Sequence, residues 1–196
     1  MRHYWPEVGG WFDYKRGVDV ILDALPKDRP SIFVEVGTWL GKATAYLGVE
    51  IVNRELPARL VAIDHFKGSA EMQALQYLAL APMSEAIFRA NLAPVSAELG
   101  DRFTVMVGDS AASAASFDDE SLDAVWIDAA HDYESVKADV DAWWPKVKLD
   151  GWIGGDDWTK CPGVRQAVSE QLTPHAGISG TVYWLVRRGQ DGARPL

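Results

Sequence analysis

Three aspartates stand where apolar runs stop: Asp128 after "LDAVWI", and Asp156 and Asp157 after "GWIGG", 28 and 29 residues further on. Carboxylates ending consecutive strands of a parallel sheet lie about 5 Å apart when those strands are neighbours, so the three converge. Like charges at that distance repel unless a cation joins them. An all-oxygen donor set suits a hard divalent ion, Mg²⁺ first and Mn²⁺ or Ca²⁺ less specifically, whereas Zn²⁺ wants His or Cys as well. Adjacent strand residues face opposite ways, and Gly154-Gly155 read as the bend that lets both aspartates turn inward. The plainer reading of an Asp pair is an exposed turn or a helix N-cap.

A second group lies earlier in the chain. "EVGTWLG" gives Glu35-x-Gly37-x-x-x-Gly41, with Thr38 inside the turn, at the end of a β-rich run and directly before a helical pattern. Its glycines let the backbone approach a ligand and let the helix pack closely. Asp64 ends the next apolar run, 27 residues beyond Gly37, where a carboxylate can accept both hydroxyl hydrogens of a ribose. Together these read as a nucleoside site. The spacing is not G-x-G-x-x-G, so no pyrophosphate signature is present. A glycine turn that merely closes a βα unit is the alternative.

The elements that must hold these residues alternate. Strand-like runs cover 31–37, 59–64, 102–109, 122–128, 151–155 and 181–188; helical patterns cover 15–25, 42–56, 133–147 and 163–172. In the 133–147 pattern Tyr133, Val136, Val140, Trp143 and Val147 share a face, with Asp132 placed to cap it. Gly48 weakens the helical reading of 42–56. Continuous apolar strands alternating with helices predict an α/β fold: a doubly wound, Rossmann-like, mostly parallel sheet with helices on both faces and an antiparallel C-terminal strand. One domain over 1–196 is expected, with an aromatic and helical N-terminal extension (1–30). Residues 67–98 read as a helical insertion, "AEMQALQYLAL" and "MSEAIFRANL" separated by Pro82.

Composition narrows the partners. Nineteen Lys and Arg against 28 Asp and Glu leave a net charge of −9, which disfavours nucleic acid, and Arg187-Arg188 is too small a basic cluster to reverse that. No apolar run is long enough to span a bilayer, and the first residues lack a signal-peptide core. One cysteine, Cys161, excludes an internal disulfide framework and favours a cytoplasmic setting. The nine tryptophans fall mostly in apolar runs and are expected mostly in the core. A small-molecule partner fits best.

The E-x-G-x-x-x-G turn resembles the first motif of class I S-adenosylmethionine-dependent methyltransferases. "IDAAHDYESVKADVDAWWPKVKLDGWIGGDDW" resembles their metal-dependent O-methyltransferases, both the catechol type and the type acting on sugars and phenols of macrolide and aminocoumarin antibiotics, with the related cephalosporin-hydroxylase-like proteins. The likeness runs over roughly residues 31 to 165. It implies S-adenosylmethionine as cofactor, with Glu35 at its methionine end, Asp64 on the ribose and Asp109 of "VGDS" beside the adenine. It also implies Mg²⁺ on Asp128, Asp156 and Asp157. The catechol branch ends this set with asparagine, so Asp157 points to the antibiotic-sugar branch. That branch often places an aspartate where this chain has Ala130, and the catechol branch has a lysine base where this chain has His131. The base is then His131, or the metal alone acidifies the hydroxyl, or a residue of 67–98 supplies it; His131 as a helix cap is the alternative.

The expected reaction is methyl transfer to a hydroxyl of a small acceptor such as a sugar diol, catechol or natural-product phenol. A metal-free methyltransferase acting on another atom and a non-catalytic nucleoside-binding protein are the rivals. Residues 67–98 are expected either over the mouth of the site, with Met72, Tyr77 and Phe88 against an apolar ring, or in a homodimer interface. Trp11, Phe12 and Trp158 are further candidates for the mouth.

Overall fold

The computed structural model describes residues 1–68, 83–172 and 181–189. Six strands form one sheet in the order β3-β2-β1-β4-β5-β6. They are β1 Ser31–Val36, β2 Ala58–Asp64, β3 Phe103–Val107, β4 Leu122–Ile127, β5 Val147–Gly155 and β6 Trp184–Arg187. All neighbours pair in parallel except β6, which runs antiparallel to β5. The expected doubly wound α/β arrangement is therefore present. The order reverses between β1 and β4, and the strand ends there diverge into a crevice.

Side chains alternate along these strands, so each face buries its own cluster. Phe33, Leu60, Ala124 and Trp126 point to one face, which α1 Lys15–Ala24, α2 Lys42–Asn53, α3 Ser84–Asn91 and α4 Ala93–Leu99 cover. Val34, Val61, Val125 and Ile153 point to the other, beneath α6 Tyr133–Trp143 and α7 Pro162–Gln171. A short helix, α5 Ser110–Ser113, follows β3. Asp132 caps α6 by accepting from the Ser135 N–H at 3.0 Å, as its position implied.

Several boundaries differ from the sequence expectation for local reasons. The helix expected to reach residue 147 stops at Trp143, and a single 3₁₀ turn carries Pro145, which has no N–H to continue it. β5 begins at Val147 rather than 151, because Val147 pairs with Leu122 across an irregularity in register. α2 ends at Asn53, with Glu55 in the left-handed region at φ 54°. α4 lies beyond the two helices expected in the insertion; Pro94 sits in its first turn, where no N–H is needed. The first insertion helix, with Met72 and Tyr77, lies outside the described residues. Trp126, Trp143, Trp144 and Trp184 are buried, and the partly covered Trp5, Trp152 and Trp158 pack against the core, as expected for most tryptophans, whereas Trp11 and Trp39 line a cavity at the carboxyl ends of the strands.

Gly48 is a contact rather than a weakness in α2. A Cβ there would lie 2.4 Å from a methyl of Val95 on α4. Helix propensity alone favours Gly48→Ala by about 1 kcal/mol. The packing reverses the sign: Gly48→Ala should lower unfolding stability by roughly 1–3 kcal/mol through overpacking, measured by denaturant titration. An unchanged or raised midpoint would show that α4 yields.

Candidate active site

The carboxyl ends of β1, β2, β4 and β5 open on a cavity of about 720 Å³. Every residue expected to touch cofactor, cation or acceptor proton lines it except Gly41. Gly37, at φ 84°, is where β1 meets β4: a Cβ would come within 2.1 Å of the Asp128 carbonyl oxygen. Gly41, at φ 87°, makes room for another element, since its Cβ would meet Leu92 at 2.2 Å and Phe88 at 2.9 Å. Phe88 is correspondingly buried against Phe66, ring centroids 5.3 Å apart, and does not present itself to an acceptor as the sequence suggested.

Glu35 is almost fully buried at the end of β1, with Oε2 lacking a partner, and the nearby Thr38 hydroxyl also lacks one. Burial, with Asp128 and Asp64 adding repulsion, pushes the Glu35 carboxyl up to about 8. Asp64 ties down the glycine turn: its Oδ2 accepts from the N–H groups of Thr38 at 2.8 Å and Trp39 at 2.7 Å, and its Oδ1 from that of Phe66 at 2.7 Å. A carboxylate offers about four acceptor positions, so three are taken within the chain. Asp109 caps α5, accepting from the Ala112 N–H at 3.0 Å. Beside it, Asp139 of α6 is buried and bonded to the Ser110 hydroxyl, and burial pushes its carboxyl up to about 6. Asp139 carried no sequence signal beyond a polar residue on the apolar side of its helix.

Asp128, Asp156 and Asp157 each bring one carboxylate oxygen within 4.8 Å of the others. The bend that achieves this sits at Asp157, which is left-handed at φ 59°, and not at the glycines as the sequence suggested. Gly154 and Gly155 continue β5; Cβ atoms there would strike Trp126 at 2.8 Å, the Ile127 carbonyl oxygen at 2.4 Å and the Trp184 indole at 2.7 Å. Asp156 is 8% exposed, and its Oδ1 has no partner. Burial first, then the charge of Asp128, pushes its carboxyl up to about 8.

His131 Nε2 lies 3.0 Å from Asp157 Oδ2 and 3.8 Å from Asp128 Oδ1. Burial opposes a charged imidazole, but hydrogen bonding and attraction from Asp128 and Asp157 prevail and hold it at about 11. Asp132, rather than His131, caps the helix. Asp157 feels the reverse: against burial, His131 and Lys160 hold its carboxyl below the usual range. His131, Asp157 and Cys161 also place ligand atoms within 4.8 Å of one another, a donor set for a softer ion that shares Asp157.

Tyr14 belongs to the site and was missed. It is buried, its hydroxyl donates to Asp128 Oδ2 at 2.8 Å, and burial, then Asp128 and Glu35, keep it protonated well above the usual phenol range. Nothing in the sequence but an aromatic just ahead of a helix could have drawn attention to it. At the mouth, Trp11 stacks on Trp39 with centroids 5.1 Å apart, and Lys160 pairs with Asp13 at 2.7 Å.

Residues 34–158 match the model of a family described as a methyltransferase domain. No curated protein matches in sequence. Among solved structures, the O-methyltransferase NovP superposes with a TM-score of 0.64 at 20% identity, over 90% of this chain and 77% of that one. CalS11, a calicheamicin methyltransferase, gives 0.56 at 17% identity, over 86% and 76%. Cofactor-bound Rv0187 from MTB gives 0.59 at 17% identity, over 93% and 84%.

The raised groups set a pH response. Asp156 and Glu35 at about 8, and His131 at about 11, all bind a proton more tightly folded than unfolded. Each contribution is complete below the unfolded value, about 4 for the acids and about 6.5 for histidine, and is lost as pH rises through the folded one. Melting temperature in chelator should therefore fall steadily from about pH 5 to about pH 9. Divalent-cation entry should expel protons, seen as calorimetric heats that vary with the buffer's ionisation enthalpy. A pH-independent melting temperature over that range would contradict these protonation states.

Proposed function

The chain belongs to the methyltransferase-domain family that it matches over residues 34–158, and we propose that this S-adenosylmethionine-dependent methyltransferase is an O-methyltransferase assisted by Mg²⁺. The observation that carries the proposal is the convergence of Asp128, Asp156 and Asp157 in the same cavity as the glycine turn of β1. The acceptor is a small molecule with a reactive hydroxyl and a neighbouring oxygen: a sugar diol, a catechol or a natural-product phenol. NovP and CalS11 are similar in fold and lend this class support. No helix among the described residues is long and apolar enough to cross a membrane.

The residues present suit both groups. Glu35 Oε2 and the Thr38 hydroxyl are buried polar atoms without partners, ready for the amino end of a zwitterionic ligand. The cavity has the volume of an ordinary small-molecule site. Gly37 and Gly41 shape the turn, Asp64 has one acceptor position left for a ribose hydroxyl, and Asp109, which lines the same cavity, would flank the adenine. The cation would sit among Asp128, Asp156 and Asp157, where the unpartnered Asp156 Oδ1 waits in a buried, acid-rich pocket. The cofactor supplies an electrophilic methyl group, and Mg²⁺ supplies orientation and a lowered hydroxyl pKa.

The chain's own task is to align the acceptor and take its proton. His131 Nε2 is the base, and it works as neutral imidazole. The carboxylates that hold its proton are those that take the cation, so cation occupancy and loss of that proton go together. The competing reading, a metal-free methyltransferase acting on another atom, draws on the same observation, because His131 and Lys160 already offset the charge of Asp157.

A demethylated-product assay with catechol and sugar-diol acceptors, run with Mg²⁺ and with chelator, separates the two. Asp156→Asn should lower turnover by about 10²-fold or more, on the scale of an interaction made to the reacting group. Chelator-resistant activity in Asp156→Asn would leave the metal-free reading standing. Asp64→Ala should weaken S-adenosylmethionine binding by roughly 1.5–3 kcal/mol in calorimetry, the size of a lost charged hydrogen bond. Unchanged affinity would remove Asp64 from the ribose.

A further inference from the structure

We infer that Tyr14 is a positioning residue for the cation site, its hydroxyl fixing how Asp128 presents its carboxylate to the ion. The inference rests on the cation reading above. Tyr14 donates to Asp128 Oδ2 at 2.8 Å, while Oδ1 is the oxygen facing His131 at 3.8 Å. The two oxygens therefore have separate neighbours, and the plane of the carboxylate is set. Without the phenol, rotation about the last side-chain bond of Asp128 would let either oxygen turn toward the cation or the imidazole.

The donor itself is held firmly. Its ring stacks on Trp126 of β4 with centroids 5.0 Å apart, and Phe12 closes over it edge-on at 4.9 Å. Its carbonyl accepts from the Gly17 N–H at 2.8 Å. Gly17 lets the first turn of α1 press against the same strand, since a Cβ there would lie 2.7 Å from Trp126 and 2.8 Å from Tyr183. Trp126 thus receives both the ring and the helix that follows it, and the hydroxyl has little freedom to leave Asp128. Tyr14 lies outside residues 34–158, the part of the chain that matches the family, so the N-terminal segment adds this donor to the shared framework.

The test is Tyr14→Phe, which keeps the stacked ring and removes only the donor. MgCl₂ titrated alone into the unaltered protein and the variant should show 10–100-fold weaker binding in the variant, roughly the effect of losing a partner of a ligating group. S-adenosylmethionine affinity, measured separately, should not change. In an Asp128→Asn background, Tyr14→Phe should cost nothing further, because its effect passes through Asp128. Equal Mg²⁺ affinity in Tyr14→Phe overturns the inference, even if the melting temperature falls, since Tyr14 would then be structural only. Parallel loss of Mg²⁺ and S-adenosylmethionine affinity overturns it too, as a general disturbance. No Mg²⁺ binding by the unaltered protein would remove the cation reading itself and this inference with it.

Discussion

Negative charge gathered at the carboxyl ends of β1, β4 and β5 is the constraint to which the rest of the molecule answers. Glu35, Asp128, Asp156 and Asp157 border one cavity, and Asp64 and Asp109 extend the acidic lining along it. A folded chain that concentrates carboxylates must protonate some, pair others or bind a cation. The first two responses are present, and a hydrogen bond supplements them. Glu35 and Asp156 hold protons, Asp157 pairs with His131 and Lys160, and Asp128 takes a hydrogen bond from Tyr14. The arrangement costs stability that the two apolar layers must offset, which is the usual bargain of a site built for binding.

Those layers also explain the distribution of glycines. At Gly37 the backbone of β1 passes the carbonyl of Asp128, and at Gly155 the backbone of β5 passes the carbonyl of Ile127. Both are contacts between strand ends on either side of β4. A methyl group at either point would spread the strands and with them the carboxylates. The indoles of Trp126 and Trp184 fill the space beside β5 that its glycines leave. Site geometry and core packing are thus one problem at this end of the sheet.

Much of this was legible in the sequence. Parallel strands buried on both faces read as unbroken apolar runs, and such runs end where acids appear, so Glu35, Asp64, Asp128 and Asp156 could be placed before any coordinates. What escaped were roles decided by distant partners. The Gly154-Gly155 pair read as a bend because glycine bends chains, but the facing indoles that demand it come from Trp126 and Trp184. Phe88 read as a candidate for the mouth of the site or a homodimer interface, yet the space left at Gly41 receives it. Asp64 read as a ligand carboxylate, and its three backbone partners could not be seen from a strand end alone. Tyr14 could not be found at all, because its partner is 114 positions away.

That separation bears on the order in which the protein acquires its shape. The ring of Tyr14 rests on Trp126 and its hydroxyl on Asp128, so the segment ahead of α1 has no seat until β4 is in place. Asp13 waits longer still, for Lys160 beyond β5. Closing loops of such length is slow compared with forming the local βα units, and the segment ahead of α1 is among the last to dock. Until then the acids of β1 and β4 face each other without their phenol, and the cavity lacks the wall that Trp11 and Tyr14 provide. The N-terminal segment therefore joins the two halves of the chain at the cavity, through contacts of the longest sequence separation in the site.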